Sequence, residues 1–280
     1  MGKLHNRGKS ALCQLLLLNI SLAMSAQKCD QAAQFASSTQ STTPKKAPFA
    51  TASAAFIAAM VWARRALAFC LAARSRALTT LPPLPALDAA VLQDSHGFSA
   101  EQNWLVPGRV MLGRYPGSGR GQRVDAVVDA LRTAGVTTFV CLQSELPPQD
   151  SGAANPPGFE NYHAAAVNFD GPAPSFVHFG IPDREPAGDL DSLRSLVADL
   201  AARVLKNGEC LFIHCWGGKG RTGLVAACLL GLLYESLGAE EALDRVQAYA
   251  ETRTKSIVSP ETDPQRDQVR AFFAAVRGGP

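Results

Sequence analysis

Apolar residues recur with two different periods in the second half of the chain. Helical spacing occurs at residues 124–131, 190–204 and 243–250, while residues 137–142 and 210–213 form short continuous apolar runs typical of buried strands. Helical and strand-like segments therefore alternate. This alternation predicts an α/β fold, a single domain with a central, mostly parallel sheet flanked by helices.

The polar run that follows the apolar run 210–213 is rich in glycine and precedes a helix-like stretch at 224–230. Its members are His214, Cys215, Trp216, Gly217, Gly218, Lys219, Gly220, Arg221, Thr222 and Gly223. Backbone N–H groups of such a loop, placed at a helix N-terminus, bind anions and favour a thiolate at Cys215. Arg221 provides a planar fork for two phosphoryl oxygens. The alternative is a buried structural cysteine beside a glycine turn.

This run resembles the Cys-x5-Arg signature of the protein tyrosine and dual-specificity phosphatase superfamily. The resemblance implies a phosphocysteine intermediate formed on Cys215 with no cofactor and no metal, and a substrate-binding loop comprising Trp216, Gly217, Gly218, Lys219, Gly220 and Arg221. It also implies that His214 orders the loop through hydrogen bonds. Thr222 can donate its hydroxyl to the departing sulfur or cap the helix, and the two roles are compatible.

A proton donor for the leaving oxygen is expected on a loop facing the cysteine. Asp183, in Ile181-Pro182-Asp183, is the favoured candidate because the flanking prolines predict an irregular loop and relatives carry their acid in a comparable Pro-Asp loop. Asp170 competes for the role, and either aspartate can instead cap a turn. Gln265 matches a family position that steers the hydrolytic water; an exposed helix glutamine is the alternative.

Charge is unevenly distributed over the 280 residues. Of 27 Lys and Arg and 24 Asp and Glu, ten basic residues and Asp30 lie in residues 1–87, which leaves 17 basic and 23 acidic residues in 88–280. A net charge of −6 there argues against nucleic-acid binding, which needs a basic surface. The seven cysteines include no C-x-x-C pair, so zinc and disulfide frameworks are disfavoured.

Residues 1–87 have the composition of a targeting region. A basic start and an apolar stretch resemble a signal peptide, and the Ser-, Thr- and Ala-rich segment 31–87 contains arginines but no acid, as transit peptides do. This order favours a plastid, with the mitochondrion and the secretory pathway as alternatives. Membrane association is expected only if the region is not cleaved, through residues 47–63. The Leu81–Pro85 segment reads as a linker, and the phosphatase-like domain is predicted at 88–280.

The leading functional hypothesis is a phosphoprotein phosphatase that hydrolyses phosphotyrosine, with phosphoserine and phosphothreonine as further substrates. The short domain resembles the dual-specificity branch. A phosphoinositide phosphatase is the first alternative because some lipid-directed relatives also carry lysine where Lys219 stands, although they often carry a basic residue in place of Trp216. An alternative of another class is a non-catalytic module that binds phosphorylated residues.

Overall fold

The computed structural model describes residues 80–117, 123–253 and 257–278. Its elements are α1 (Ala89–His96), β1 (Gln102–Val106), β2 (Val110–Arg114), α2 (Val124–Thr133), β3 (Thr138–Gln143), α3 (His163–Asn168), β4 (Ser175–Ile181), α4 (Leu190–Asn207), β5 (Leu211–Cys215), α5 (Gly220–Leu233), α6 (Ala239–Ala250) and α7 (Asp263–Arg277). The predicted α/β class is confirmed.

The five strands form one sheet in the order β1-β2-β5-β3-β4. Strands β2, β5, β3 and β4 run parallel, while β1 pairs antiparallel with β2 at one edge. A short turn through Gly108, whose φ is 69°, joins β1 to β2. The prediction of a mostly parallel sheet is therefore confirmed, and β5, the strand that carries Cys215, is its central strand.

Side chains along β5 alternate between two apolar clusters on opposite faces of the sheet. Leu211 and Ile213 join the cluster formed with α4, α5, α6 and α7, whereas Phe212 joins the cluster formed with α2 and α3. This alternation follows from the pleat of a strand, which sends successive side chains to opposite faces. Because both faces are covered by helices, all five residues of β5 are buried.

Helix α5 is apolar on every side and lies in the middle of the helical layer on its face of the sheet. It packs against α4, α6, α7 and β5, and thirteen of its fourteen residues are buried. A helix that is hydrophobic all round needs neighbours all round. Its N-terminus, which carries Arg221, is consequently held in the core.

The segment predicted as a linker instead packs onto the domain. Leu81 and Leu84 contact the core cluster, Tyr234 Oη donates to the carbonyl of Pro82 at 2.8 Å, and Arg245 Nη1 donates to that of Pro85 at 2.9 Å. Prolines hold this segment extended and outside any helix or strand, so no backbone N–H within a ladder takes up their carbonyls, which accept from these side chains instead. The folded part therefore begins before Asp88, and the linker prediction is wrong.

Residues 1–79, with the candidate membrane segment 47–63, lie outside the described residues, so the targeting hypothesis stays a prediction. Among the residues that the structure describes, no helix combines the length and apolarity needed to cross a bilayer.

Candidate active site

The phosphate loop, defined as residues 215–221, leads from the carboxyl end of β5 into the first turn of α5. Cys215 ends the strand and is 3% exposed. Gly218 has a φ of 67°, and a Cβ there would stand 2.3 Å from the carbonyl of Gly113 on the neighbouring strand β2. Only glycine fits both the left-handed backbone and this close approach.

Two successive carbonyls of the phosphate loop are bound by side chains from the connection between α6 and α7. Arg253 Nη2 donates to the carbonyl of Gly218 and Ser259 Oγ donates to that of Lys219, each at 2.8 Å. Neither donor lines the cavity above Cys215. Burial lowers the pKa of Arg253 to about 10, so it remains cationic at neutral pH. The sequence did not reveal these two residues.

Arg221 is almost fully buried and holds three protein groups. Its Nη1 and Nη2 donate to the two carboxylate oxygens of Glu145 at 2.7 and 3.0 Å, and Nη1 also donates to the carbonyl of Ile181 at 3.0 Å. Nη2 lies 3.0 Å from Asp183 Oδ1. Burial lowers the pKa of Arg221, but the carboxylates and Cys215 outweigh burial and raise it above its usual value.

Glu145 is a site residue that sequence reasoning missed. It follows β3, which lies beside β5 in the sheet. A polar residue just past the carboxyl end of a parallel strand next to the nucleophile's strand is the signal that could have revealed it, because ligand sites of α/β sheets lie at that edge. Burial raises the pKa of Glu145, but its hydrogen bonds with Arg221 lower it overall, so the pair is ionised.

Of the two candidate acids, Asp183 reaches the site. It lies just past the end of β4, at the start of the acid loop, defined as residues 182–189, and lines the same cavity as Cys215 and Arg221. Asp170 is exposed in the turn between α3 and β4 and does not line this cavity. The structure therefore brings the favoured candidate, and not its competitor, to the cysteine.

Gln265 contacts the acid loop and is fully buried in the first turn of α7. Its Nε2 donates to the carbonyl of Glu185 at 3.0 Å, and its Oε1 accepts from the backbone N–H groups of Glu261 and Thr262 at 3.1 and 3.2 Å. The alternative of an exposed helix glutamine is therefore wrong. The water-steering role stays a prediction, and the observed contacts give Gln265 a second task, that of connecting α7 to the acid loop.

His214 and Thr222 flank the phosphate loop and are both fully buried. His214 Nε2 shares a 2.8 Å hydrogen bond with Tyr162 Oη, and burial lowers the histidine pKa to about 3, so the ring is neutral at physiological pH. Thr222 lies inside α5 and not at its N-cap, which is Lys219. Its buried hydroxyl has no hydrogen-bond partner among the described residues, so its role at the sulfur stays a prediction.

A cavity of about 350 Å³ opens above the nucleophile. Its lining comprises Arg114, Asp183, Arg184, Cys215, Trp216, Gly217, Lys219, Gly220, Arg221 and Glu261. Trp216 is 45% exposed and packs edge-on against Phe159, with ring centroids 6.3 Å apart. Lys219 Nζ pairs with Glu261 at 2.8 Å. Among the described ranges, no group of three or more His, Cys, Asp or Glu side chains is arranged to hold a metal ion.

The fold and the site together define a class of protein. A cysteine that ends the central parallel strand, a glycine loop, and an arginine in the first turn of the next helix are the arrangement of a Cys-x5-Arg phosphatase domain. A family model described as "Swiss Army Knife protein, DSP-PTPase phosphatase domain" matches residues 99–269, more than half of the chain. The chain belongs to this phosphatase family.

Individual relatives are similar over shorter stretches or at lower identity. Cyclin-dependent kinase inhibitor 3 of Rattus norvegicus is 41% identical over 70 residues, 25% of this chain and 32% of that protein. Putative tyrosine phosphatase 067L of Invertebrate iridescent virus 3 is 24% identical over 183 residues, 62% of this chain and 65% of that protein. The crystal structure of kinase associated phosphatase with its catalytic cysteine replaced by serine is 23% identical, covers 61% of this chain and 89% of that chain, and has a TM-score of 0.45. The chain spans about a third of the length of the first of these relatives.

Proposed function

We propose that this protein is a phosphoprotein phosphatase that hydrolyses phosphotyrosine, and also phosphoserine and phosphothreonine, through a phosphocysteine intermediate. The observation that carries the proposal is a single cavity that Cys215, Arg221 and Asp183 all line. A nucleophile, an anion-binding fork and a proton donor are the three groups that this chemistry requires.

In the first step the Cys215 thiolate attacks phosphorus. A sulfur–phosphorus bond forms, the ester phosphorus–oxygen bond breaks, and the Asp183 carboxylic acid gives its proton to the leaving oxygen. Arg221 binds two phosphoryl oxygens, and the amides of the phosphate loop bind the charge that spreads over the transferred group. The bidentate contact with Glu145 fixes the plane of the guanidinium beforehand.

In the second step a water molecule attacks phosphorus and the sulfur–phosphorus bond breaks. The Asp183 carboxylate accepts the proton of that water, and inorganic phosphate leaves. The Thr222 hydroxyl, which is buried without a hydrogen-bond partner among the described residues, donates a hydrogen bond to the departing sulfur. His214 stays neutral and takes no part in proton transfer. Its hydrogen bond with Tyr162 Oη holds the ring next to the phosphate loop.

Two observations favour a protein substrate over a phosphoinositide. Lys219, the residue on which the lipid alternative depends, is neutralised by Glu261 at 2.8 Å. Trp216 offers an exposed aromatic surface at the cavity, which suits an aromatic or apolar side chain. The similarity to a putative tyrosine phosphatase is in keeping with this choice.

The test compares the wild-type protein with Cys215→Ser and with Cys210→Ser, a control that alters a buried cysteine at the opposite end of β5. We expect wild type and Cys210→Ser to release phosphate from para-nitrophenyl phosphate and from phosphotyrosine peptides, with inhibition by vanadate and none by EDTA. Acid-quenched wild type is expected to carry a phosphate adduct on Cys215 by mass spectrometry. Binding of phosphopeptide without any release would establish the non-catalytic module instead.

We also propose that residues 1–87 direct import into a plastid. The support is compositional: a signal-like start is followed by an acid-free, arginine-containing segment. Fusion of residues 1–87 to a fluorescent protein is expected to give plastid fluorescence, and mitochondrial or secretory fluorescence would replace the proposal.

A further inference from the structure

The cations that line the cavity differ in whether a carboxylate already neutralises them. Three are paired: Arg221 with Glu145 and Asp183, Lys219 with Glu261, and Arg114 with Glu101. Arg184 is the fourth, and its side chain has no ion pair or hydrogen bond within the described part of the chain. The cavity therefore presents one uncompensated guanidinium, which is exposed and available to a ligand.

The backbone at Arg184 is held in a conformation that its residue type disfavours. Its φ of 64° makes it the non-glycine residue with a left-handed backbone in the described ranges. Two contacts from the start of α7 fix the chain there: Thr262 Oγ1 donates to the carbonyl of Arg184 at 3.1 Å, and Gln265 Nε2 donates to that of Glu185 at 3.0 Å. Strained backbone of this kind persists where the surroundings hold it, and it concentrates at functional sites.

The position of Arg184 indicates which part of a substrate it faces. Arg221 and the loop amides hold the phosphoryl group, while Asp183 protonates the oxygen that joins this group to the substrate side chain. Arg184 directly follows Asp183 and lines the same cavity. A group contacting Arg184 is therefore on the leaving-group side, where the residues flanking the phosphorylated one lie.

We infer that Arg184 is a specificity-determining residue that selects phosphopeptides with an acidic side chain beside the phosphorylated residue. The inference deepens the proposed function and rests on it. A guanidinium binds a carboxylate through two parallel hydrogen bonds, and the contact is charge-assisted.

The charge distribution favours an acidic peptide over a headgroup with several phosphates. Such a headgroup needs several free cations, and the described lining offers Arg184 alone once the existing ion pairs are counted. The net charge of −6 over residues 88–280 also opposes approach to an anionic membrane. A single added carboxylate matches a single free guanidinium.

The experiment measures kcat/KM for phosphotyrosine peptides in which one position, from two residues before to two residues after the phosphotyrosine, carries Glu, Gln or Lys. At one or more positions we expect kcat/KM for the Glu peptide to be about twofold to fivefold higher than for the Gln peptide, mainly because KM is lower. The Lys peptide is expected to have a lower kcat/KM than the Gln peptide. The Glu/Gln ratio is expected to approach one as salt rises, because an exposed ion pair is screened.

The same ratios of kcat/KM are then measured for three variants, Arg184→Gln, Arg184→Glu and Arg194→Glu. Taking the ratio within each variant cancels any general change in rate. We expect the Glu/Gln ratio of kcat/KM to be about one in Arg184→Gln, and we expect Arg184→Glu to prefer the Lys peptide. Arg194 lies on α4 and does not line the cavity, so Arg194→Glu should retain the wild-type ratio.

The possible results distinguish a failure of the specificity role of Arg184 from a failure of the proposed phosphatase function. Wild-type protein that hydrolyses no phosphopeptide and no para-nitrophenyl phosphate contradicts the proposed function itself. Hydrolysis with equal kcat/KM for Glu, Gln and Lys peptides contradicts the inference alone. Faster hydrolysis of a phosphatidylinositol bisphosphate in vesicles, lost in Arg184→Gln, overturns the peptide assignment and transfers the role of Arg184 to a lipid phosphate.

Discussion

The phosphate loop and the acid loop face each other across one cavity but obtain their shapes in different ways. The phosphate loop is mostly buried and lies between a central strand and a core helix only five residues apart. The acid loop is mostly exposed, and its carbonyls are held by Thr262 and Gln265, about 80 residues further along the chain. The nucleophile is therefore positioned mainly by the buried strand and helix on either side of it, with two added contacts from Arg253 and Ser259, whereas the exposed acid loop depends more on tertiary contacts.

The largest expected effect removes the acid itself. Asp183→Asn keeps the size of the side chain but cannot donate a proton to the leaving oxygen, so kcat should fall by roughly 10²–10⁴-fold. Steady-state kinetics with an alkyl phosphate, whose leaving oxygen most needs a proton, gives the clearest measurement. Asp170→Asn is the matched control and should retain the wild-type rate. A normal rate in Asp183→Asn would assign the acid elsewhere.

Adding one methyl group to each loop tests whether the phosphate loop tolerates less change than the acid loop. Gly218→Ala places a Cβ 2.3 Å from the Gly113 carbonyl on a left-handed backbone, and displacement of the loop by about 1 Å should lower kcat/KM by about 10²-fold. Gly188→Ala in the acid loop meets nothing within 4 Å and should stay within about twofold. Comparable losses in the two variants would contradict the comparison.

Acid should weaken the support beneath the phosphate loop. His214 has a pKa of about 3 in the folded protein against 6.5 in the unfolded chain, so below pH 6.5 only the unfolded chain takes up this proton. The stability that the neutral His214 contributes is therefore fully present above pH 6.5 and is lost toward pH 3, by about 2 kcal/mol between pH 7 and 5. Urea unfolding at both values measures the loss. In His214→Gln the free energy of unfolding should change less between pH 7 and 5 than in the wild type. The same change in both proteins would contradict this prediction.

Removing the charge of Glu145 should weaken anion binding without abolishing catalysis. Glu145→Gln replaces the carboxylate that orients the buried Arg221 with a neutral amide and leaves Asp183 as its remaining ionic partner. Loss of this charge-assisted hydrogen bond predicts about a tenfold rise in KM and in the Kd for vanadate. Vanadate inhibition measures this directly. Glu101→Gln, which unpairs the peripheral Arg114, should change both constants far less.

The smallest effect distinguishes the two roles of Gln265. Gln265→Leu removes the contact with the acid loop and the cap of α7, which predicts a loss of about 1–3 kcal/mol in the free energy of unfolding and a few-fold loss in kcat. If Gln265 also steers water, rapid mixing should reveal a burst of para-nitrophenol as phosphocysteine accumulates. A lower kcat in Gln265→Leu without a burst would mean that Gln265 has only the structural role.

The parts of the fold and site that the sequence predicts are those encoded by neighbouring residues. The strand, glycine loop and helix around Cys215 lie within one short segment, and apolar spacing identifies α2, α4 and α6. Strands β1 and β2 were missed because they are buried without regular alternation, so no period marks them.

The missed site residues are those that folding brings to the loop from a distance. Arg253 and Ser259 bind the phosphate loop from 35 and 40 positions away, and Glu145 reaches Arg221 from 76. Each is an ordinary polar residue in its own stretch of sequence. Gln265 was assigned an exposed alternative because a helix pattern does not reveal that the acid loop covers its first turn.

The packing of Leu81 and Leu84 sets a lower limit for shortening the chain from its amino end. A protease that cut at Asp88 would remove both leucines from the apolar cluster and leave the Tyr234 hydroxyl and the Arg245 guanidinium without their carbonyl acceptors. A shortened chain that keeps these contacts must therefore begin at or before Leu81.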